Sequence, residues 1–164
     1  MKTVLFFRHG KSDWDAEYGA DHERPLARRG RKAAAKMGRF LAQAGPLPDA
    51  VVTSSAVRAR ETLERAMQAG GWADRPVRVT RALYEAGPEE LLGEVREEDD
   101  DVRTLLLVGH EPAWSAAVRE AVGGGRLRFP TAALARVDFP VAHWADVVSG
   151  RGELVWFVIP KILP

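Results

Sequence analysis

Val4-Leu5-Phe6-Phe7-Arg8-His9-Gly10-Lys11-Ser12 decides how the rest of the chain reads. Four consecutive apolar residues without polar alternation suit a strand covered on both faces, as in a parallel sheet packed between helices. The run ends abruptly in a cation, an imidazole and a glycine. The same pattern recurs: Ala50-Val51-Val52 runs into Thr53-Ser54-Ser55, and Leu105-Leu106-Leu107-Val108 into Gly109-His110. Each polar knot falls at the end of an apolar run and precedes a stretch of helical period.

The stretches between the runs carry helix signals. Pro25-Leu26 leads into a helix over 27–44, with Ala33, Met37, Phe40 and Leu41 at helical spacing and Gly45-Pro46 as the stop. A second helix is expected over 56–69, ending at Gly70-Gly71, with Ser55 as its N-cap. Pro88 opens a third, to Val95, and Pro112 a fourth, to Val122, closed by Gly123-Gly124-Gly125. Val77 to Thr80, Ala133 to Phe139 and Leu154 to Ile159 read as further strands. The last two have no helix between them, so one runs antiparallel. The expected fold is α/β: three layers, α/β/α, around a mostly parallel mixed sheet.

At 164 residues, against roughly 150 per domain, the chain is expected to form one domain over residues 1–164. Its 46% hydrophobic and 29% charged residues are those of an ordinary globular protein, and neither the N-terminus nor Val155 to Ile159 carries a signal peptide or a span. A cytoplasmic location follows as the expectation. The net charge of +1 gives no global attraction to nucleic acid or membrane, so neither is expected as a partner. With no cysteine, disulfides, thiolate zinc sites and cysteine nucleophiles are excluded.

In open α/β sheets the ligand crevice lies beyond the carboxyl ends of the strands. The first, second and fourth strands deliver Arg8-His9-Gly10, Ser54 to Arg58 and Gly109-His110 to that edge. Two arginines and two histidines without a matching acidic cluster make a pocket for a tetrahedral anion, most simply phosphate. Taken singly, each has an ordinary reading as a packed histidine or a solvated arginine. Arg58 is the hardest to dismiss. It falls in the first turn of a helix, where the dipole disfavours a cation, so a bound anion explains it better than folding does.

These residues resemble a known family. Arg8-His9-Gly10-Lys11-Ser12 resembles the RHG signature of the histidine phosphatase, or phosphoglycerate mutase-like, superfamily. Ser54-Ser55-Ala56-Val57-Arg58-Ala59-Arg60-Glu61-Thr62 is similar to its S-x-A-x-R-A-x-x-T segment, and Gly109-His110-Glu111-Pro112 to its G-H-x-P segment. Short length, with Arg24-Pro25-Leu26 followed by Gly30, makes the SixA-type phosphohistidine phosphatase branch the nearest likeness. The resemblance runs from about Met1 to Val122. It implies that His9 is a nucleophile, neutral and held in one tautomer, that takes the phosphoryl group and releases it to water. It implies further that Arg8, Arg58 and His110 clamp the equatorial oxygens, with no metal or other cofactor.

Other assignments keep more than one reading. Glu85 falls where many superfamily members carry an acidic proton donor, or it opens the loop before Pro88. Glu111 is an alternative donor, a cap for the helix after Pro112, or a charge that repels substrate. Ser12 donates a hydrogen bond to the anion or caps a turn. Asp15, where relatives often carry an asparagine ligand, would repel phosphate and is not assigned. Lys11 is a rim charge, Trp14 stands at the pocket edge, and His22 and His143 are structural or surface residues. Arg28-Arg29-Gly30-Arg31-Lys32 reads as a solvated helix face and Glu97 to Asp101 as an exposed loop.

The expected activity is that of a phosphatase acting through a phosphohistidine intermediate. The expected substrate is phosphohistidine on a protein, such as a histidine-containing phosphotransfer domain, since a chain this short leaves little for a lid. The alternatives are a phosphomonoesterase or pyrophosphohydrolase for a small phosphorylated metabolite, and a catalytically idle phosphate-binding module.

Overall fold

The computed structural model describes residues 1–164. Six strands form one sheet: β1 (Lys2–Arg8), β2 (Ala50–Ser54), β3 (Val77–Thr80), β4 (Thr104–Gly109), β5 (Leu134–Phe139) and β6 (Glu153–Val158), in spatial order β3-β2-β4-β1-β5-β6. β1 to β4 pair in parallel, whereas β5 runs antiparallel to β1 and β6 antiparallel to β5. The antiparallel strand expected from the missing helix is therefore β5.

Five helices accompany the strands: α1 (Arg28–Ala44), α2 (Val57–Gly70), α3 (Ala82–Glu85), α4 (Pro88–Arg96) and α5 (Ala113–Val122). α1, α2, α4 and α5 lie where periodicity put them. α3 and a 3-10 turn at Asp21–Glu23 are too short to show a period. None of the helices is long and apolar enough to cross a membrane.

The apolar run that opened the reading is buried on both faces. Val4 and Phe6 join a core cluster with Leu91, Leu92 and Val95 of α4 and Trp114 and Val118 of α5. Leu5 and Phe7 join a second cluster with Met37 and Leu41 of α1 and Leu63 and Met67 of α2. β4 alternates likewise: Leu105 and Leu107 face the first cluster, Leu106 and Val108 the second. This period of two places helices on both sides of the sheet.

The start of α2 corrects one expectation. The N-cap is Ala56, without a side-chain bond, and not Ser55. The Ser55 N–H still donates to the Thr80 carbonyl at 3.1 Å, prolonging the β2–β3 ladder, so the chain turns into the helix one residue later. Ser54 Oγ accepts the Ala56 N–H instead.

α1 presses its first turn onto the loop after β1, and glycine makes that approach feasible. A Cβ on Gly30 would lie 2.2 Å from the Lys11 carbonyl oxygen and 2.8 Å from its nitrogen, and one on Gly10 would lie 2.8 Å from the Gly30 oxygen. Backbone cannot yield as a side chain can. Gly30→Ala is therefore expected to destabilise the protein by about 1–3 kcal/mol. By shifting the loop that carries His9, it should also lower turnover by about 10²-fold. Thermal melts with steady-state rates check this, and an unchanged rate would show that helix and loop move independently.

Candidate active site

β4 lies between β1 and β2, so the three polar knots are neighbours in space. The register pairs Arg8 with Gly109 and Thr53 with Val108, which brings the strand ends level. His9 and His110 pack with ring centroids 5.2 Å apart.

His9 is 8% exposed, and its Nδ1 lies 2.6 Å from the Gly10 carbonyl oxygen. A carbonyl can only accept, so Nδ1 carries the proton and Nε2 keeps its lone pair. Gly10 is itself held: its N–H donates to Thr62 Oγ1 at 2.9 Å, and that hydroxyl donates to the Arg58 carbonyl. The threonine of the S-x-A-x-R-A-x-x-T segment thus ties α2 to the RHG loop.

Three buried side-chain nitrogens around His9 lack a partner: Arg8 Nε, Arg58 Nε and His110 Nδ1. In each case the rest of the side chain is anchored. Arg8 Nη1 donates to the Phe129 carbonyl at 2.8 Å. Arg58 donates through Nη1 to the Asp21 carbonyl at 2.8 Å and through Nη2 to Asp21 Oδ2 at 2.9 Å. His110 Nε2 lies 2.7 Å from Ser54 Oγ. If that hydroxyl, which already accepts the Ala56 N–H, donates to Nε2, His110 Nδ1 bears a hydrogen facing the pocket. A buried unpaired donor costs about 1–3 kcal/mol, so three against one imidazole are a poor solution for folding and a good cradle for an oxyanion.

Asp21 and Tyr84 were not singled out by sequence reasoning, and Arg24 was read only as part of the family likeness. The Asp21 carboxylate pairs with Arg58 and Arg24 and accepts the Tyr84 hydroxyl at 2.7 Å. Its partial burial would raise its pKa, but the hydrogen bonds from Tyr84, Arg24 and Arg58 outweigh this and hold it well below the usual carboxylate range. Arg58 thus has a partner within the fold, which qualifies the expectation that a bound anion explains it better than folding does. Asp21 stands three residues before Arg24 and shares the 3-10 turn with Glu23, and this acidic pair ahead of Arg24-Pro25-Leu26 was the available signal. Tyr84 packs edge-on against His110 at 5.5 Å and His22 at 4.9 Å. His22 also contacts Ser55 Oγ at 2.8 Å, so it belongs to the pocket wall.

Ser12 is buried and accepts Arg24 Nε at 3.0 Å, leaving its own O–H free to donate. Arg24 stacks 3.6 Å over Trp14, which stands at the rim. Glu85 is not brought together with these groups. Its side chain is 69% exposed and faces Arg81 at 3.7 Å, because the turn of α3 directs the preceding Tyr84 to the pocket. Glu111 accepts the Ser115 N–H at 2.7 Å and the Ser115 hydroxyl at 2.8 Å, the capping arrangement among its three readings. No three His, Asp or Glu side chains are arranged to hold a metal ion.

Burial pushes both imidazoles down to about 3. For His9 the Arg58, Arg8 and Arg24 charges add to this against the Gly10 hydrogen bond. For His110 the neighbouring His9 and Arg58 add to it against Asp21. Because both folded values lie below the unfolded one, the unfolded chain binds more protons between pH about 6.5 and 3. Stability attributable to these rings is therefore complete above about pH 6.5 and is lost as pH falls towards 3. In the free protein, ring NMR signals of His9 and His110 should show no protonation above about pH 5. Midpoints near the ordinary histidine value would contradict a neutral pair.

A buried cationic cradle with a fixed neutral imidazole, at the parallel-strand ends of an α/β sheet, defines a site for a transferable oxyanion such as a phosphoryl group. Residues 4–103 match the model of the histidine phosphatase superfamily (branch 1), and the chain belongs to that family. It is 39% identical over 167 residues to an uncharacterised protein of Mycobacterium tuberculosis, covering 94% of this chain and 99% of that protein. It superposes with a TM-score of 0.84 and 30% identity on a Nakamurella multipartita protein that carries the name phosphohistidine phosphatase SixA, covering 97% of this chain and 96% of that one. A structure of the protein histidine phosphatase SixA complexed with tungstate superposes with a TM-score of 0.76 and 26% identity, covering 97% of each chain. Within the superfamily the chain is of the SixA type.

Proposed function

We propose that the protein is a metal-independent phosphatase that removes the phosphoryl group from phosphohistidine on a protein through a phosphohistidine on His9. The observation that carries the reading is the set of three unpartnered nitrogens, Arg8 Nε, Arg58 Nε and His110 Nδ1, around a neutral His9 with its Nε2 lone pair free. His9 Nε2 attacks phosphorus as the bond to the leaving nitrogen breaks. The donors hold the equatorial oxygens during transfer. Water then attacks the phosphoryl group on Nε2, giving inorganic phosphate and restoring His9. Arg8 and Arg58 supply the positive charge that other phosphoryl-transfer sites draw from a metal.

The carboxylates about the pocket favour phosphohistidine over an alkyl ester. Asp21 is ionised among its cations, Glu111 is committed to Ser115, and Glu85 stands in solvent beside Arg81. An alkoxide must be protonated as it leaves, whereas an N-phosphorylated imidazole protonated at its other nitrogen departs as a neutral ring. General-acid help is worth about 10²–10⁴-fold, so a site without it separates these substrates by a factor of that order.

The test compares phosphate release from a phosphohistidine peptide, an aryl phosphate and an alkyl phosphate, with alkaline quenching to preserve phosphoenzyme. The expected order is phosphohistidine, then aryl, then alkyl, with an alkali-stable, acid-labile label on the protein. Equal efficiency on alkyl phosphate would favour a phosphomonoesterase, and no turnover of any of them would favour a phosphate-binding module.

A further inference from the structure

Beside the catalytic pocket lies a second concentration of charge that the chemistry does not use. A trough of about 530 Å³ is lined by Lys11, Arg29, Lys32, Lys36 and Lys161, with no carboxylate in its wall. It shares Lys11, Arg29, Pro130 and Thr131 with an adjoining depression that reaches Arg8 and Arg128. The one carboxylate there, Glu111, is tied to Ser115. Lys11, Arg29, Lys32, Arg128 and Lys161 take part in no ion pair, although the chain as a whole is nearly neutral.

Lys36 Nζ donates to the Pro160 and Leu163 carbonyls at 3.5 and 3.4 Å, but folding does not ask for the others. Arg28, Arg29, Arg31 and Lys32 crowd the start of α1, whose first turn holds no acidic residue, where the helix dipole favours the opposite sign. Arg31 has a structural use, donating to the Leu26 carbonyl at 2.8 Å. Arg29, Lys32 and Lys36 are spaced by three and four residues, which sets them on one face of α1 as a ridge about 10 Å long. The ridge begins beside the loop that carries His9.

We propose that this ridge is a docking surface for an acidic helix of the phosphorylated protein substrate. This rests on the reading of the site as a protein phosphohistidine phosphatase. One phosphoryl group at Arg8 fills only part of the adjoining depression and leaves the trough empty. The remaining cations recur about one helical turn apart, the interval at which carboxylates recur along the face of a partner helix. The occupant is a helix carrying the phosphohistidine, with acidic residues one and two turns further along. Charge complementarity of this kind acts mainly on encounter and register.

The test uses two helical peptides, each with one phosphohistidine, bearing Glu or Gln one and two turns beyond it. At low salt the protein should show at least about tenfold higher kcat/KM on the Glu peptide, declining as salt is raised. In Arg29→Glu/Lys32→Glu that preference should vanish while aryl phosphate turnover and melting temperature hold, since acidic residues suit the start of α1. The unphosphorylated Glu peptide should bind wild type and not the variant in fluorescence anisotropy. Equal rates on the two peptides, a variant that loses aryl phosphate turnover equally, or a trough that binds inorganic triphosphate and not the Glu peptide would each overturn the proposal. If the Glu peptide binds at the ridge but its phosphohistidine is not hydrolysed, the acidic-helix surface stands and the phosphohistidine reading falls.

Discussion

His9→Ala is expected to lower turnover of every phosphorylated substrate by at least about 10⁴-fold and to leave no phosphate on the protein. No other side chain can take over the step. His110 Nε2 is engaged with Ser54 Oγ, and its Nδ1 is placed to donate to the anion. Arg8 and Arg58 cannot act as nucleophiles at any assay pH. What remains in the variant is the cradle of donors, able to hold phosphate and to help water attack directly, which accounts for a small residual rate. The fold should survive. The loss leaves the Gly10 carbonyl without its partner and a small void in a loop held elsewhere by Thr62 and the β1–β4 ladder, at a cost of about 1–3 kcal/mol. Inorganic phosphate should therefore still bind the folded variant, as isothermal titration can show. Near wild-type turnover in His9→Ala would remove covalent catalysis from the scheme and turn attention to an activated water.

The framework of this site was legible because it is written in contiguous residues. Val4 to Phe7, Ala50 to Val52 and Leu105 to Val108 read as doubly covered strands, and their ends carry Arg8, His9, Ser54, Gly109 and His110. That β4 would stand between β1 and β2 was not legible, since strand order is set by how helices pack on the two faces and not by any local period. Beyond the N-cap of α2, what else was not legible concerns side-chain direction. Glu85 and Tyr84 are adjacent, and a resemblance to acidic donors favoured the former; the turn of α3 sends Tyr84 to Asp21 and leaves Glu85 in solvent. Asp21 was missed because an exposed-looking acid in a polar loop has no periodicity, and its meaning appears only when Arg24 and Arg58 converge on it from two other segments.

Arg58→Ala should lower kcat/KM by about 10³-fold or more, a greater loss than removal of one neutral oxyanion donor commonly brings. Two effects combine. The substitution deletes a buried cation whose Nε is free for the phosphoryl oxygens, and it strips Asp21 of one of its two cationic partners. The Asp21 carboxylate, ionised throughout any assay range, then faces the incoming phosphoryl group with its charge less compensated. It follows that Asp21→Ala should partly relieve Arg58→Ala. The double variant is expected to be about tenfold more active than Arg58→Ala alone, because residues in contact couple non-additively. With Arg58 present, Asp21→Ala should act differently: it frees Nη2 while Nη1 stays on the backbone carbonyl of residue 21, so inorganic phosphate should inhibit more strongly as a product. Arg58→Lys should recover little, since one ammonium cannot replace a guanidinium anchored at its fork and donating through Nε. The decisive measurement is the four-member cycle of kcat/KM on an aryl phosphate, with phosphate inhibition measured in each member. Losses that simply multiply would show that Asp21 and Arg58 act independently. A loss confined to KM would show that Arg58 holds the bound ground state and not the phosphoryl group in transit.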